Sequence, residues 1–131
     1  MDTEKSKIAY HEPQRIDSLP EKDFDALPFG AIKLDTVGRI LKYNLYESRL
    51  AERDAREVIG QNFFTEVAPC TNVQEFAGRY RQGMAAGELD TTFPYRFLFP
   101  KRIVDVEITL ILSLDGESAW VFVKESDSAK V

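Results

Sequence analysis

Cys70 is the only cysteine in the 131-residue chain, and its setting raises the question of covalent chemistry. It follows Pro69, whose ring fixes φ and brings no backbone donor. Asn62-Phe63-Phe64-Thr65-Glu66-Val67-Ala68 precedes it, and Thr71-Asn72 offers a cap for a following helix. A thiol at the mouth of a helix is favoured as thiolate and can act as an attachment nucleophile. The same residue can also be a small buried hydrophobe, as most free cysteines are. Tyr43 and Glu47 stand four apart; if that stretch is helical, they share one face, a turn apart. Their ordinary readings are a packing tyrosine and a solvated helix glutamate. An enzyme or redox switch built on Cys70 would need a base. The single histidine, His11, lies in a polar leader, and one His with one Cys is too few for a protein-only zinc site.

The elements that must position these residues follow from pattern. Residues 1–28 are polar and broken by Pro13 and Pro20. Ser18-Leu19-Pro20-Glu21 reads as a helix start capped by Ser18, and short helices are expected to dock as a flap through Ile16, Leu19 and Phe24. Phe29 to Leu34 and Arg39 to Asn44 form a hairpin around Asp35-Thr36-Val37-Gly38. A helix over 44–51 and a short one after Asp54, stopped by Gly60, come next. Val73, Phe76, Ala77, Tyr80 and Met84 recur at helical spacing up to Gly87. Three strands close the chain. Phe93, Tyr95, Phe97 and Phe99 share a face of the first, with Pro94 marking an edge or a bulge. Val104, Val106, Ile108, Leu110 and Leu112 share a face of the second, and Ala119 to Val123 form the third.

This order predicts an α+β domain: a five-stranded antiparallel sheet with helices on one side and an N-terminal helical cap. The expected divisions are a cap over 1–28, a ligand-binding core over 29–125 and a flexible tail over 126–131. Apolar residues make up 44% and charged residues 30%, as in ordinary globular chains. The net charge is −5 and no basic cluster is present, which argues against a nucleic-acid partner. No apolar run approaches the ~20 residues of a membrane span, so membrane insertion is not expected. Nothing reads as a secretory signal, and a lone cysteine forms no internal disulfide, so the default location is cytoplasmic.

The chain resembles a PAS domain, and more closely the photoactive yellow protein family of blue-light receptors, or xanthopsins. The resemblance runs from about Phe24 to Lys124. It is carried by Leu27-Pro-Phe-Gly-Ala-Ile, Gly38-Arg-Ile-Leu-Lys-Tyr-Asn, Val58-Ile-Gly-Gln-Asn-Phe-Phe, Val67-Ala-Pro-Cys-Thr and Trp120-Val-Phe-Val-Lys. The most specific part is Ala68-Pro69-Cys70-Thr71 taken with Tyr43 and Glu47. It implies a photoreceptor, not an enzyme, that holds p-coumaric acid as a thioester on Cys70. Tyr43 and Glu47 would donate to the ligand's phenolate, Glu47 only when protonated. The resemblance further places Arg53 over the pocket, and Phe63, Val67, Pro69, Tyr95 and Phe97 along its walls. Arg53 read on its own is a surface residue able to pair with Glu52 or Asp54. The resemblance also gives Asn44 a backbone tether and the Cys70 N–H a contact to the thioester carbonyl. Light would isomerise the ligand, Glu47 would yield its proton, and the cap would loosen toward a signalling partner that the residues do not name. The chain departs from the family at Ala51, usually Thr, and at Lys101, where Met is known. The alternative is a PAS-like module that binds another ligand or dimerises without photochemistry.

Overall fold

The computed structural model describes residues 13–126. The expected loose beginning with His11, and the tail beyond Ser126, lie outside the described residues. Among the described residues, no helix is long and apolar enough to cross a membrane.

One five-stranded antiparallel sheet organises the chain, in the order β2-β1-β5-β4-β3. Its strands are β1 (Gly30–Asp35), β2 (Ile40–Tyr43), β3 (Asp90–Leu98), β4 (Ile103–Leu112) and β5 (Ser118–Glu125). The first hairpin turns at Gly38, whose φ of 96° lies in the left-handed region. A Cβ there would also press on the Phe64 ring. β3 is an edge strand, which is where a proline such as Pro94 costs no interior ladder bond.

The period-2 pattern decides what each face buries. From β4 and β5, Val106, Ile108, Leu110, Ala119, Val121 and Val123 point into the main core. Against them pack Phe63, Phe64, Phe76 and Tyr80 from the connecting segment between β2 and β3. Trp120 and Phe122 point the other way, so β5 is buried on both faces.

The second face is covered by the N-terminal helices α1 (Pro13–Asp17) and α2 (Glu21–Asp25). Ile16 and Phe24 are buried with Phe29, Trp120 and Phe122, and Leu19 packs on their margin. Ser18 does not cap α2. Its hydroxyl donates to the Arg15 carbonyl at 3.2 Å, and Pro20 holds the N-cap position without a side-chain bond. A hydroxyl that closes the preceding turn is spent locally. The firmest polar tie is Asp17, which accepts from Lys33 Nζ at 2.8 Å and from the Trp120 indole N–H at 3.2 Å. Asp17→Ala would leave a fully buried indole N–H and a partly buried ammonium unsatisfied. It is expected to destabilise the protein by about 1–2 kcal/mol and to expose residues 13–27 to protease before the sheet. Urea melts and timed proteolysis check this; cleavage of cap and sheet at equal rates would contradict it.

Between β2 and β3 lie α3 (Leu45–Ala51), α4 (Ala55–Val58), a π-helical turn over Phe63–Val67, a 3-10 turn over Pro69–Thr71, a second π-helical turn over Gln74–Gly78, and α5 (Arg79–Ala86). Asn44 and Asp54 cap α3 and α4. Gly60 and Gly87 end their segments at positive φ. Thr71 and Asn72 do not cap the following helix. Thr71 Oγ1 donates to the Ala68 carbonyl at 2.6 Å, Asn72 Oδ1 accepts from Arg81, and exposed Val73 stands at the N-cap.

Candidate functional site

A cavity of about 410 Å³ opens between α3 and the far end of the sheet. Small-molecule sites span roughly 300–1,000 Å³. Tyr43, Glu47, Leu50 and Ala51 form one wall, and Phe63, Val67, Ala68, Pro69 and Cys70 a second. Phe97 and the loop Phe99-Pro100-Lys101 form a third, with Glu52 and Arg53 at the mouth.

Tyr43 is the last residue of β2, and Asn44 turns the chain at once into α3. The helix therefore stands directly on the sheet, and Glu47 in its first turn faces inward. Glu47 is 2% exposed. Its carboxyl lies so close over Gly30 that any Cβ at position 30 would collide with Oε1. Oε1 has no hydrogen-bond partner among the described residues. Burial, followed by the negative charge of Glu125, pushes the Glu47 carboxyl up to about 8. At neutral pH it is a carboxylic acid, hence a donor. Tyr43 is driven well above the ordinary phenol range, first by burial and then by Glu47, with Arg53 acting in the opposite direction. Two protonated hydroxyl groups thus line one cavity, an arrangement suited to an anionic oxygen.

Cys70 is half-buried on the opposite wall, in the middle of a single 3-10 turn and not at the mouth of a helix. Tyr95 does not line the cavity. It sits behind the cysteine: its hydroxyl donates to the Cys70 carbonyl at 2.5 Å, and its ring packs edge-on against Phe76 with centroids 5.2 Å apart. Edge strand β3 thereby props the turn that carries the thiol. The resemblance implied Tyr95 as a wall residue; its hydroxyl is instead engaged with the backbone behind the thiol.

Arg53 lines the mouth, while Asp54 pairs with Arg56 at 3.0 Å. The Arg53 N–H donates to the Ser48 carbonyl at 3.0 Å, and the Ser48 hydroxyl donates to the Arg53 carbonyl. The segment after α3 is therefore folded back onto the helix. Phe97 is 1% exposed and stacks on Phe99 at 5.3 Å with an interplanar angle of 8°. Leu50 and Leu98 also line the cavity without having been singled out in sequence, and Ala68, known only as part of the Cys70 run, joins them. Leu50 could have been found from its place one turn after Glu47; the others carry no pattern of their own. Among the described residues no group of His, Cys, Asp and Glu is arranged to hold a metal.

The family model described as the PAS fold matches residues 20–124. The chain is 43% identical over 107 residues to the photoactive yellow protein of Halochromatium salexigens, covering 82% of this chain and 86% of that one. It is 43% identical over 106 residues to the photoactive yellow protein of Rhodothalassium salexigens, covering 81% and 85%. Among solved structures it is similar to the photoactive yellow protein domain of the sensor histidine kinase Ppr from Rhodospirillum centenum. The TM-score there is 0.84 at 44% identity, over 86% of this chain and 99% of that one.

Proposed function

Because the chain belongs to the photoactive yellow protein family within the PAS fold, we propose that it is a blue-light photoreceptor carrying p-coumaric acid as a thioester on Cys70. The observation that carries this reading is the shared cavity. A single thiol stands on one wall and two protonated hydroxyl donors, Tyr43 and Glu47, on another. The buried carboxyl of Glu47, whose Oε1 has no partner among the described residues, fits a ligand that ends in an anionic oxygen.

In this reading Cys70 anchors the acyl end, and its own N–H faces the thioester carbonyl. Tyr43 and Glu47 hold the phenolate oxygen. Arg53 covers the mouth, and Phe63, Val67, Pro69 and Phe97 keep water away from the ring. Tyr95 acts one step back, by fixing the turn under Cys70. When bound, the group supplies light absorption and isomerisation about its double bond. Glu47 would then pass its proton to the phenolate oxygen it holds, which leaves a carboxylate in an apolar place at a cost of roughly several kcal/mol. Residues 1–28 respond as a cap; in their described part, Ile16, Leu19 and Phe24 are the apolar side chains packed on the second face of the sheet. The output is a changed surface for a signalling partner. The solved relative, a domain of a sensor histidine kinase, is one precedent for such a partner.

Reconstitution tests the reading. Ligand-free protein given p-coumaric acid as an activated ester is expected to form a one-to-one adduct and turn yellow, as Cys70 Sγ displaces the activating group. Cys70→Ala is expected to stay colourless and unlabelled with an unchanged circular dichroism spectrum. A yellow, covalently labelled Cys70→Ala protein would overturn the assignment. Uptake without colour by the unaltered protein would point to a PAS-like ligand module instead.

A further inference from the structure

The loop between β3 and β4 forms one wall of the cavity through Phe99, Pro100 and Lys101. It is folded on itself, with the Phe99 N–H donating to the Arg102 carbonyl at 3.0 Å. The Arg102 side chain leaves this loop altogether. Its Nη2 donates to the backbone carbonyl of Leu50 at 2.7 Å, across 52 residues of sequence. Leu50 lies in the last turn of α3, three residues beyond Glu47, and is 4% exposed. Carbonyls in the last turn of a helix have no acceptor role within it, so this one is open to an outside donor. A cation is also favoured at that end of a helix. The bond ties together two elements that each wall the cavity, while the Arg102 side chain itself lies in a neighbouring cleft with Tyr46, Leu50 and Glu125.

We infer that Arg102 is a positioning residue for this cavity: its guanidinium latches the β3–β4 loop onto the end of the Glu47 helix and so keeps water from the Glu47 carboxyl. The inference rests on the photoreceptor reading only for what the cavity serves. The latch itself belongs to the ligand-free protein and can fail or stand without it.

Several groups bear on Glu47. Tyr43 lies at the end of β2, Tyr46 on α3, Glu52 and Arg53 after that helix, Cys70 on the 3-10 turn, Lys101 in the loop and Glu125 on β5. Arg102 is a cation at the edge of this set, so its removal can act in two ways with opposite signs. Loss of positive charge alone disfavours the Glu47 carboxylate and raises its titration midpoint. Loss of the latch admits water, which favours the carboxylate and lowers the midpoint.

The experiment titrates the Glu47 carboxyl by carbon-13 NMR in ligand-free protein. In Arg102→Ala the midpoint is expected to fall by at least one pH unit, a tenfold change in acidity. Exchange of the Phe99 amide is expected to quicken at least tenfold. Lys101→Ala removes a neighbouring loop cation without touching the latch, and its Glu47 midpoint is expected to hold or rise. Should Arg102→Ala fail to fold, Arg102→Gln, too short to reach Leu50, reads the same sign. A midpoint in the Arg102 variants that stays or rises overturns the inference, as does an equal fall in Lys101→Ala.

Discussion

Ligand-free protein is expected to lose stability steadily as the pH rises from about 4.5 to about 8, and Glu47→Gln to abolish that loss. The sign follows from where the proton is held. Glu47 has an ordinary carboxyl value of 4.5 when unfolded and about 8 when buried. Below 4.5 both states carry the proton and the folded state bears no penalty. Between the two values the unfolded chain releases the proton while the folded one keeps it, so each step in pH favours unfolding. Above about 8 the folded state must ionise Glu47 in place, and the loss is complete. Within the window the slope approaches about 1.4 kcal/mol per pH unit. Asp54, Asp105 and Asp115 are lowered, chiefly by bonds to Arg56, Arg96 and the Glu117 N–H, and so contribute on the acid side instead. Any other group titrating in the window is present in both proteins. The test is therefore the difference between the urea-unfolding curves of the unaltered chain and Glu47→Gln, taken at several pH values. Parallel pH profiles would show that Glu47 ionises as freely folded as unfolded, and that the cavity holds no neutral acid.

What could be read from the chain in advance, and what could not, divides by range. β4 was legible because Val104, Val106, Ile108, Leu110 and Leu112 recur with a period of two, and that period is the geometry of a strand. The hairpin was legible because Gly38 marks the turn. Tyr43 and Glu47 do share a cavity, but not as two positions on one helix face. Tyr43 ends a strand, Asn44 turns the corner, and the cavity collects both. The turn carrying Cys70 was misread because Thr71 looks like a cap. Its hydroxyl instead satisfies the Ala68 carbonyl, a local bond that competes with capping. Asn62 did leave a signal: it accepts from the Phe64 and Thr65 N–H groups while its own N–H donates to Glu66, four residues on. Contacts such as Arg102 to Leu50 or Tyr95 to Cys70 have no local pattern. They exist only once the sheet has set the distance between segments.

Asn44→Ala is expected to cost about 3 kcal/mol or more, because one buried amide serves four backbone groups. Asn44 is fully buried. Its Oδ1 accepts from the Ala31 N–H at 3.0 Å and the Glu47 N–H at 3.1 Å. Its Nδ2 donates to the Phe29 carbonyl at 3.0 Å and the Phe24 carbonyl at 3.3 Å. The oxygen thus caps the helix that carries Glu47, while the nitrogen holds the stretch leading from α2 into β1. Aspartate at this position separates the two duties. A carboxylate caps a helix as well as an amide does, yet it offers no N–H to Phe24 and Phe29. Amide exchange is the measurement. In Asn44→Ala, exchange is expected to quicken both in residues 21–29 and in the first turn of α3. In Asn44→Asp above neutral pH, only residues 21–29 should quicken, while the β4 amides keep their protection in both variants. Asp25, which accepts from the Leu45 N–H at 2.9 Å, remains in both and limits how far α2 can depart. If Asn44→Asp loosens α3 as much as the alanine variant does, the two halves of the amide do not act separately. Asn44 would then be a core residue and not the joint between the N-terminal helices and the Glu47 helix.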